Sequence, residues 1–108
     1  LQMAVSRGIL RVVRKLLDHG ADPNDRDIFL NHPVLASALT DDKEAIARLL
    51  IEKGADLSVR IRMPGENRES YYIDIARRNG QYRIVRLLQR YNAPSASANR
   101  NDGEGAGD

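Results

Sequence analysis

A phrase that occurs twice constrains the fold of this chain more than any other feature. "LLDHGADPN" begins at Leu16, and "LLIEKGADLS" begins at Leu49. Aligning the chain with itself extends the match to three copies, which are anchored on Gly8, Asp42 and Gly80 and separated by 34 and 38 residues. A period of this length is typical of repeat proteins, in which each copy is one supersecondary unit.

The columns of this alignment agree in residue type. Each copy closes on Gly20, Gly54 or Asn92, and an alanine follows each of them. The other matched columns are Leu1, Leu35 and Ile73; Ala4, Ala38 and Ala76; Val12, Ile46 and Ile84; Arg14, Arg48 and Arg86; and Leu16, Leu50 and Leu88. Glycine and asparagine are the residues that most often take the left-handed conformation just after a helix.

Apolar spacing predicts two short helices in each copy. Val12, Val13, Leu16 and Leu17 fall on one helical face, and Gly8 separates this helix from the one before it. The predicted helices span residues 1–7, 10–19, 35–40, 44–53, 72–79 and 82–91. One such pair cannot bury its own apolar face, whereas stacked pairs cover one another.

These residues resemble ankyrin repeats, most clearly in "LQMAVSRG" and "VVRKLLDHGADPN". The resemblance covers Leu1 to about Pro94. It implies an all-α solenoid of stacked helix pairs with long hairpin-like loops, with repeats 1, 2 and 3 at about 1–32, 33–70 and 71–94. The polar segment 95–108 is predicted to be a low-complexity tail. The family's usual Thr-Pro-Leu-His is absent, since repeat 2 has Pro-Val-Leu-Ala from Pro33.

The loop before repeat 3 is predicted to form an extended finger. Leu57, Val59, Ile61 and Met63 alternate with polar residues, which indicates a strand with one covered face. Pro64-Gly65 is a turn signal, so the tip is expected near residues 64–68.

The sequence offers no combination of residues suited to catalysis. It has no cysteine, only two histidines, and no phosphate-loop, zinc-protease or serine-hydrolase motif. Asp41, Asp42 and Glu44 precede a helix, where acids complement the helix dipole, and Asp41 or Asp42 is expected to cap it. We therefore expect a non-enzyme with no catalytic residue, no metal and no cofactor.

Positive charge is concentrated in one region. Residues 60–94 contain eight arginines, three acids and no lysine, and arginine favours forked recognition of carboxylate or phosphate. These arginines either form a basic patch for an acidic peptide or are ordinary solubilising surface charge. Nucleic acid is the weaker alternative, because Tyr72 and Tyr82 are expected to pack internally rather than stack on bases.

The resemblance implies a protein-interaction module that binds a protein or peptide through loop tips and the exposed ends of the first helices, on a concave side. The implied contact residues are Ser6, Arg7, Arg26, Ile28, Phe29, Leu30, His32, Thr40, Asp41, Arg60, Arg62, Met63, Arg68, Arg78 and Asn79. The apolar triplet 28–30 either packs under its loop, which we prefer, or forms an exposed patch. The alternatives are a non-catalytic arm of a larger enzyme, a structural spacer and a nucleic-acid-binding module.

Two further expectations concern the chain's surroundings. No apolar stretch approaches the roughly 20 residues that span a bilayer, and the absence of cysteine fits an intracellular protein. We therefore expect an intracellular location and no membrane contact. Repeat 1 has no polar repeat before it, and Met3 and Val5 are available to pack, so we expect at least one more repeat upstream.

Overall fold

The computed structural model describes residues 1–27, 32–62 and 65–95, and helices make up most of them. The helices are α1 (Gln2–Arg7), α2 (Leu10–Asp18), α3 (Val34–Thr40), α4 (Glu44–Glu52), α5 (Tyr72–Arg78) and α6 (Tyr82–Arg90). The strands are β1 (Arg26–Asp27) and β2 (His32–Pro33). Every helix begins and ends within one residue of its sequence prediction. The all-α class predicted from the repeat pattern is confirmed.

All three repeats end in the same backbone geometry. Gly20 and Gly54 have φ of 100°, and Asn92 has φ of 60°. In each repeat the amide of the following alanine donates to the carbonyl of the leucine five residues before it, at 3.0 Å. This bond satisfies a carbonyl that the end of the helix would leave unpaired. The repeated phrase in the sequence therefore encodes a helix stop.

Asp42 terminates α3 and does not cap α4, contrary to the sequence prediction. Its φ is 57°, and the matching Gly8 and Gly80 have φ of 72° and 74°. The N-cap residue of α4 is Lys43, and no side chain caps that helix end. Asp42 therefore occupies the left-handed turn between the two helices of repeat 2, a conformation that Asp tolerates better than most residues.

The N-terminal unit, Leu1–Asp56, contains repeat 1 packed on the helix pair of repeat 2. Helix α1 packs against α3, and α2 packs against α4. The alanine column lies at this interface, where Ala4 and Ala38 are buried and let the helices approach closely. Between the repeats, β1 and β2 pair in antiparallel register, Arg26 with Pro33 and Asp27 with His32.

Two polar contacts join the ends of repeats 1 and 2. The Asn24 side chain accepts a hydrogen bond from the Asp56 amide, with Oδ1 2.6 Å from the nitrogen. Lys53 Nζ lies 2.8 Å from Asp18 Oδ1. The hydrogen bond from Lys53 lowers the pKa of Asp18 below its ordinary value. Both contacts join repeat 1 to repeat 2, so they help to set the register of these two repeats.

The C-terminal unit, Leu57–Asp108, contains the α5–α6 pair and the finger, residues 57–70. Ile61 and Ser70 exchange two backbone hydrogen bonds of 2.7 Å across the base of the finger. Leu57, Val59 and Ile61 are covered to different extents, whereas the intervening Ser58 and Arg60 are exposed. The predicted alternation is present, but it forms a single antiparallel bridge and not a regular strand.

Candidate functional site

In the N-terminal unit, the predicted contact residues of the helices lie at the C-terminal ends of two packed helices. All four are exposed: Ser6 and Arg7 on α1, and Thr40 and Asp41 at the end of α3. The Thr40 hydroxyl donates back to the Ala36 carbonyl at 2.9 Å, and Lys43 Nζ lies 3.1 Å from Asp41 Oδ2. Because α1 packs against α3, the structure brings these four residues together as a polar edge of mixed charge.

The loop of the N-terminal unit supplies one exposed residue and one buried residue of the predicted set. Arg26 is exposed, but His32 is only 3% exposed, so its side chain is not accessible as predicted. The Nδ1–H of His32 donates to the Pro33 carbonyl at 3.2 Å. The β1–β2 pairing turns His32 inward just before the buried α3, as the bridge with Ile61 does for the matching Ser70.

Four residues of the predicted set lie outside the described residues. Ile28, Phe29 and Leu30 belong to the segment 28–31, and Met63 belongs to the segment 63–64. The choice between a packed and an exposed apolar triplet therefore stays a prediction.

In the C-terminal unit, Arg78 joins the end of α5 to the finger. Its Nη1 lies 3.1 Å from Glu66 Oε1, and its Nη2 donates to Ser70 Oγ at 3.0 Å. Ser70 also forms the backbone bridge with Ile61. The guanidinium of Arg78 thus contacts the finger at two points, Ser70 and Glu66, and so holds the finger in position.

The remaining arginines of the finger point their charge at solvent. Arg60 Nε lies 3.7 Å from Glu69 Oε1, a long contact between two exposed side chains. Arg62 and Arg68 are exposed, and no described residue forms an ion pair with either. Both finger glutamates are thus engaged by Arg60 and Arg78, which leaves Arg62 and Arg68 uncompensated. Asn79 follows Arg78 and is exposed.

Two negative observations apply to the part of the chain that the structure describes. Within it, no group of three or more His, Cys, Asp or Glu side chains is placed to hold a metal ion. None of its helices combines the length and the apolar character needed to cross a membrane.

Comparison with known protein families shows which family the chain belongs to. A family model described as ankyrin repeats, in three copies, matches residues 1–102. The chain belongs to the ankyrin-repeat family. Ankyrin repeats are generally protein–protein interaction modules and are typically non-catalytic. No curated protein matches the chain.

Sequence reasoning missed the residues that organise the ankyrin finger. Glu66 and Ser70 precede Arg78 by 12 and 8 residues, and they lie in the finger and not on the helix of Arg78, so no helical or strand periodicity relates them to it. The only available signal was an acid in the finger opposite an arginine-rich helix end, and charge alone does not specify which pair forms.

Proposed function

We propose that this ankyrin domain binds a partner protein or peptide that carries carboxylates, through the finger and the exposed end of α5. The observation that carries the proposal is the uncompensated pair of exposed arginines, Arg62 and Arg68, on a finger held by Arg78. A loop that is already bonded to a helix end through Ser70 and Glu66 loses less conformational entropy when a partner binds. The arrangement therefore favours recognition by the loop itself.

The chemistry of the two arginines defines the partner. A guanidinium offers parallel N–H donors that match a carboxylate. An exposed ion pair contributes only about 0.2–1 kcal/mol in water. The two arginines therefore orient the partner and speed its association more than they raise its affinity. In the N-terminal unit, the polar edge formed by Ser6, Arg7, Thr40 and Asp41 is proposed as a separate contact surface.

The experiment compares three versions of the chain in affinity capture, followed by titration of the captured partner. The test variant carries Arg62→Glu and Arg68→Glu. The matched control carries Arg86→Glu and Arg90→Glu, which changes net charge equally on exposed positions of α6. We expect the partner to bind wild type and control equally and to bind the test variant at least tenfold more weakly, because charge reversal replaces attraction by repulsion. Equal binding to all three, or equal loss from both variants, would contradict the proposal.

Arg78 is kept intact in this experiment because it positions the finger. Replacing it would mix loss of a contact with loss of the loop conformation. A change that disorders the finger would weaken binding even if the partner touched only Arg62 and Arg68.

Nucleic acid is a second candidate, favoured by one observation. Tyr82 was expected to pack internally, but it is 64% exposed, because its column begins the second helix and holds the half-exposed Glu44 in repeat 2. Tyr82, Tyr91, Arg86 and Arg90 all lie exposed on or just after α6. Binding to a single-stranded oligonucleotide that falls steeply with added salt and is lost in the α6 variant would support this candidate. A flat salt response would exclude it.

A further inference from the structure

Repeat 1 exposes an apolar face that the other repeats bury. This outer face comprises Met3, Ile9, Val12 and Leu16. Met3 is 68% exposed, Val12 is 41% exposed and Leu16 is 36% exposed. Single exposed apolar residues are ordinary, but a contiguous group of them on one side of a helix pair marks a contact surface.

The same columns are covered in repeat 2. They hold Ser37, Lys43, Ile46 and Leu50, of which all but the half-exposed Lys43 are buried. Within the N-terminal unit, the helices that pack on α3 and α4 are α1 and α2 of repeat 1. The outer face of repeat 1 therefore corresponds to the surface of repeat 2 on which repeat 1 packs.

The turn between the helices shows how close this packing is. The Lys43 side chain lies over Gly8, where an added Cβ would come within 2.9 Å of Lys43 Cε. Ile9 occupies the Lys43 column and is exposed. In a stack built the same way, Ile9 would lie against the turn of the covering helix pair.

Two other columns of the repeat alignment contain the side chains that pack onto such a surface. Repeat 1 has Val5 and Leu17 there, and repeat 2 has Leu39 and Ile51, all buried. Repeat 3 instead has Arg77 and Gln89, which are at least partly exposed. The apolar covering surface is therefore present in repeats 1 and 2 and absent from repeat 3. Val5, which the sequence left available for an upstream contact, belongs to this covering set and not to the outer face.

We propose that the outer face is a docking surface for a further ankyrin-type helix pair, packed on repeat 1 as repeat 1 packs on repeat 2. The occupant has apolar side chains in the Val5 and Leu17 columns. A second copy of this chain does not fit head to tail, because its last repeat would press Arg77 and Gln89 onto Val12 and Leu16. Burying such polar groups without partners is unfavourable. The proposal is independent of the partner assigned to the finger.

The test supplies a helix pair of known sequence. The full chain is extended by a second copy of residues 1–34 placed ahead of Leu1, so that the added pair presents its own Val5 and Leu17 to the outer face. We expect Tm to rise by at least about 5 °C, the shift that a modest gain in stability gives in a domain of this size. Amide exchange in α2 of the original repeat 1 should slow at least tenfold.

The matched variant carries Val12→Gln and Leu16→Gln in the original repeat 1. Both positions are exposed in the unextended chain, so that chain should stay folded by circular dichroism, and in the extended chain the gain should disappear. Three results would overturn the proposal: no gain on extension, a gain that survives the glutamine variant, or an unextended chain that is a dimer by light scattering and becomes a monomer in that variant. The last result would assign the outer face to self-association.

Discussion

Replacing one leucine of the Leu16, Leu50 and Leu88 column by alanine should have an effect that depends on the repeat. All three leucines are the seventh residue of a nine-residue helix, so the change in helix propensity is the same for each. Leu50 and Leu88 are fully buried, whereas Leu16 is 36% exposed. For Leu16 and Leu50, which both lie in the N-terminal unit, the comparison therefore isolates the contribution of the neighbouring helix pair.

The magnitudes follow from the carbon atoms removed. Leu→Ala deletes three carbons, each contributing about 0.8 kcal/mol when buried, so about 2.4 kcal/mol is lost by transfer at a fully covered site. The cavity left behind raises the loss at Leu50 or Leu88 to about 3–5 kcal/mol. Leu16 is only partly covered and leaves a groove open to water, so its loss should be about 1.5 kcal/mol.

The assay is urea unfolding of the three single variants, followed by circular dichroism, with the free energy of unfolding extrapolated to water. Leu50→Ala and Leu88→Ala should each exceed Leu16→Ala by about 1.5 kcal/mol or more. Equal losses at Leu16 and Leu50 would refute the reasoning, because they would mean that Leu16 is as well covered as Leu50. An altered slope with urea would instead show that the transition is not two-state.

Two further predictions concern polar contacts. Arg78→Ala should increase the rate of amide exchange at Ser70 at least tenfold, because the finger loses the guanidinium that holds it. The control Arg62→Ala should leave this rate unchanged. Equal rates in the two variants would show that Arg78 does not position the finger. Lys53→Met should raise the pKa of Asp18 toward its ordinary value of about 3.9, measured by carbon-detected NMR titration. The pKa of Asp18 is lower in the folded than in the unfolded state. The stability that this contact contributes is therefore present above about pH 4 and is lost as pH falls through the folded-state pKa. An unchanged pKa of Asp18 in Lys53→Met would show that the contact does not form in solution.

Local features of the fold were predictable because they are encoded within a few residues. Each helix requires only apolar side chains at a 3.6-residue spacing, and each stop requires only a residue that accepts a positive φ, such as Gly20 or Asn92. Asp42 shows the limit of this reasoning. An acid before a helix usually caps it, but the column shared with Gly8 and Gly80 placed Asp42 in the left-handed turn instead.

The candidate site was less predictable because exposure and pairing depend on groups distant in sequence. His32 lies in a loop yet is buried by strand pairing, and Tyr82 has an apolar ring yet is exposed. The bonds from Arg78 to Glu66 and Ser70 were not foreseen, and contact of Arg78 with a partner stays a prediction. No pattern within one helix or one strand contains that information.

The sequence by itself determined that this chain is a three-copy helical repeat, where its helices begin and end, and that its arginines cluster after residue 59, because these properties depend on composition and short-range spacing. Only the tertiary structure decided which members of a matched column are buried. Leu16 and Leu50 have the same identity and the same helical position, and they differ because repeat 2 has repeat 1 packed against it within the N-terminal unit. Burial is a property of neighbours, and a one-dimensional repeat gives each copy the same sequence signal whether or not a neighbour is present.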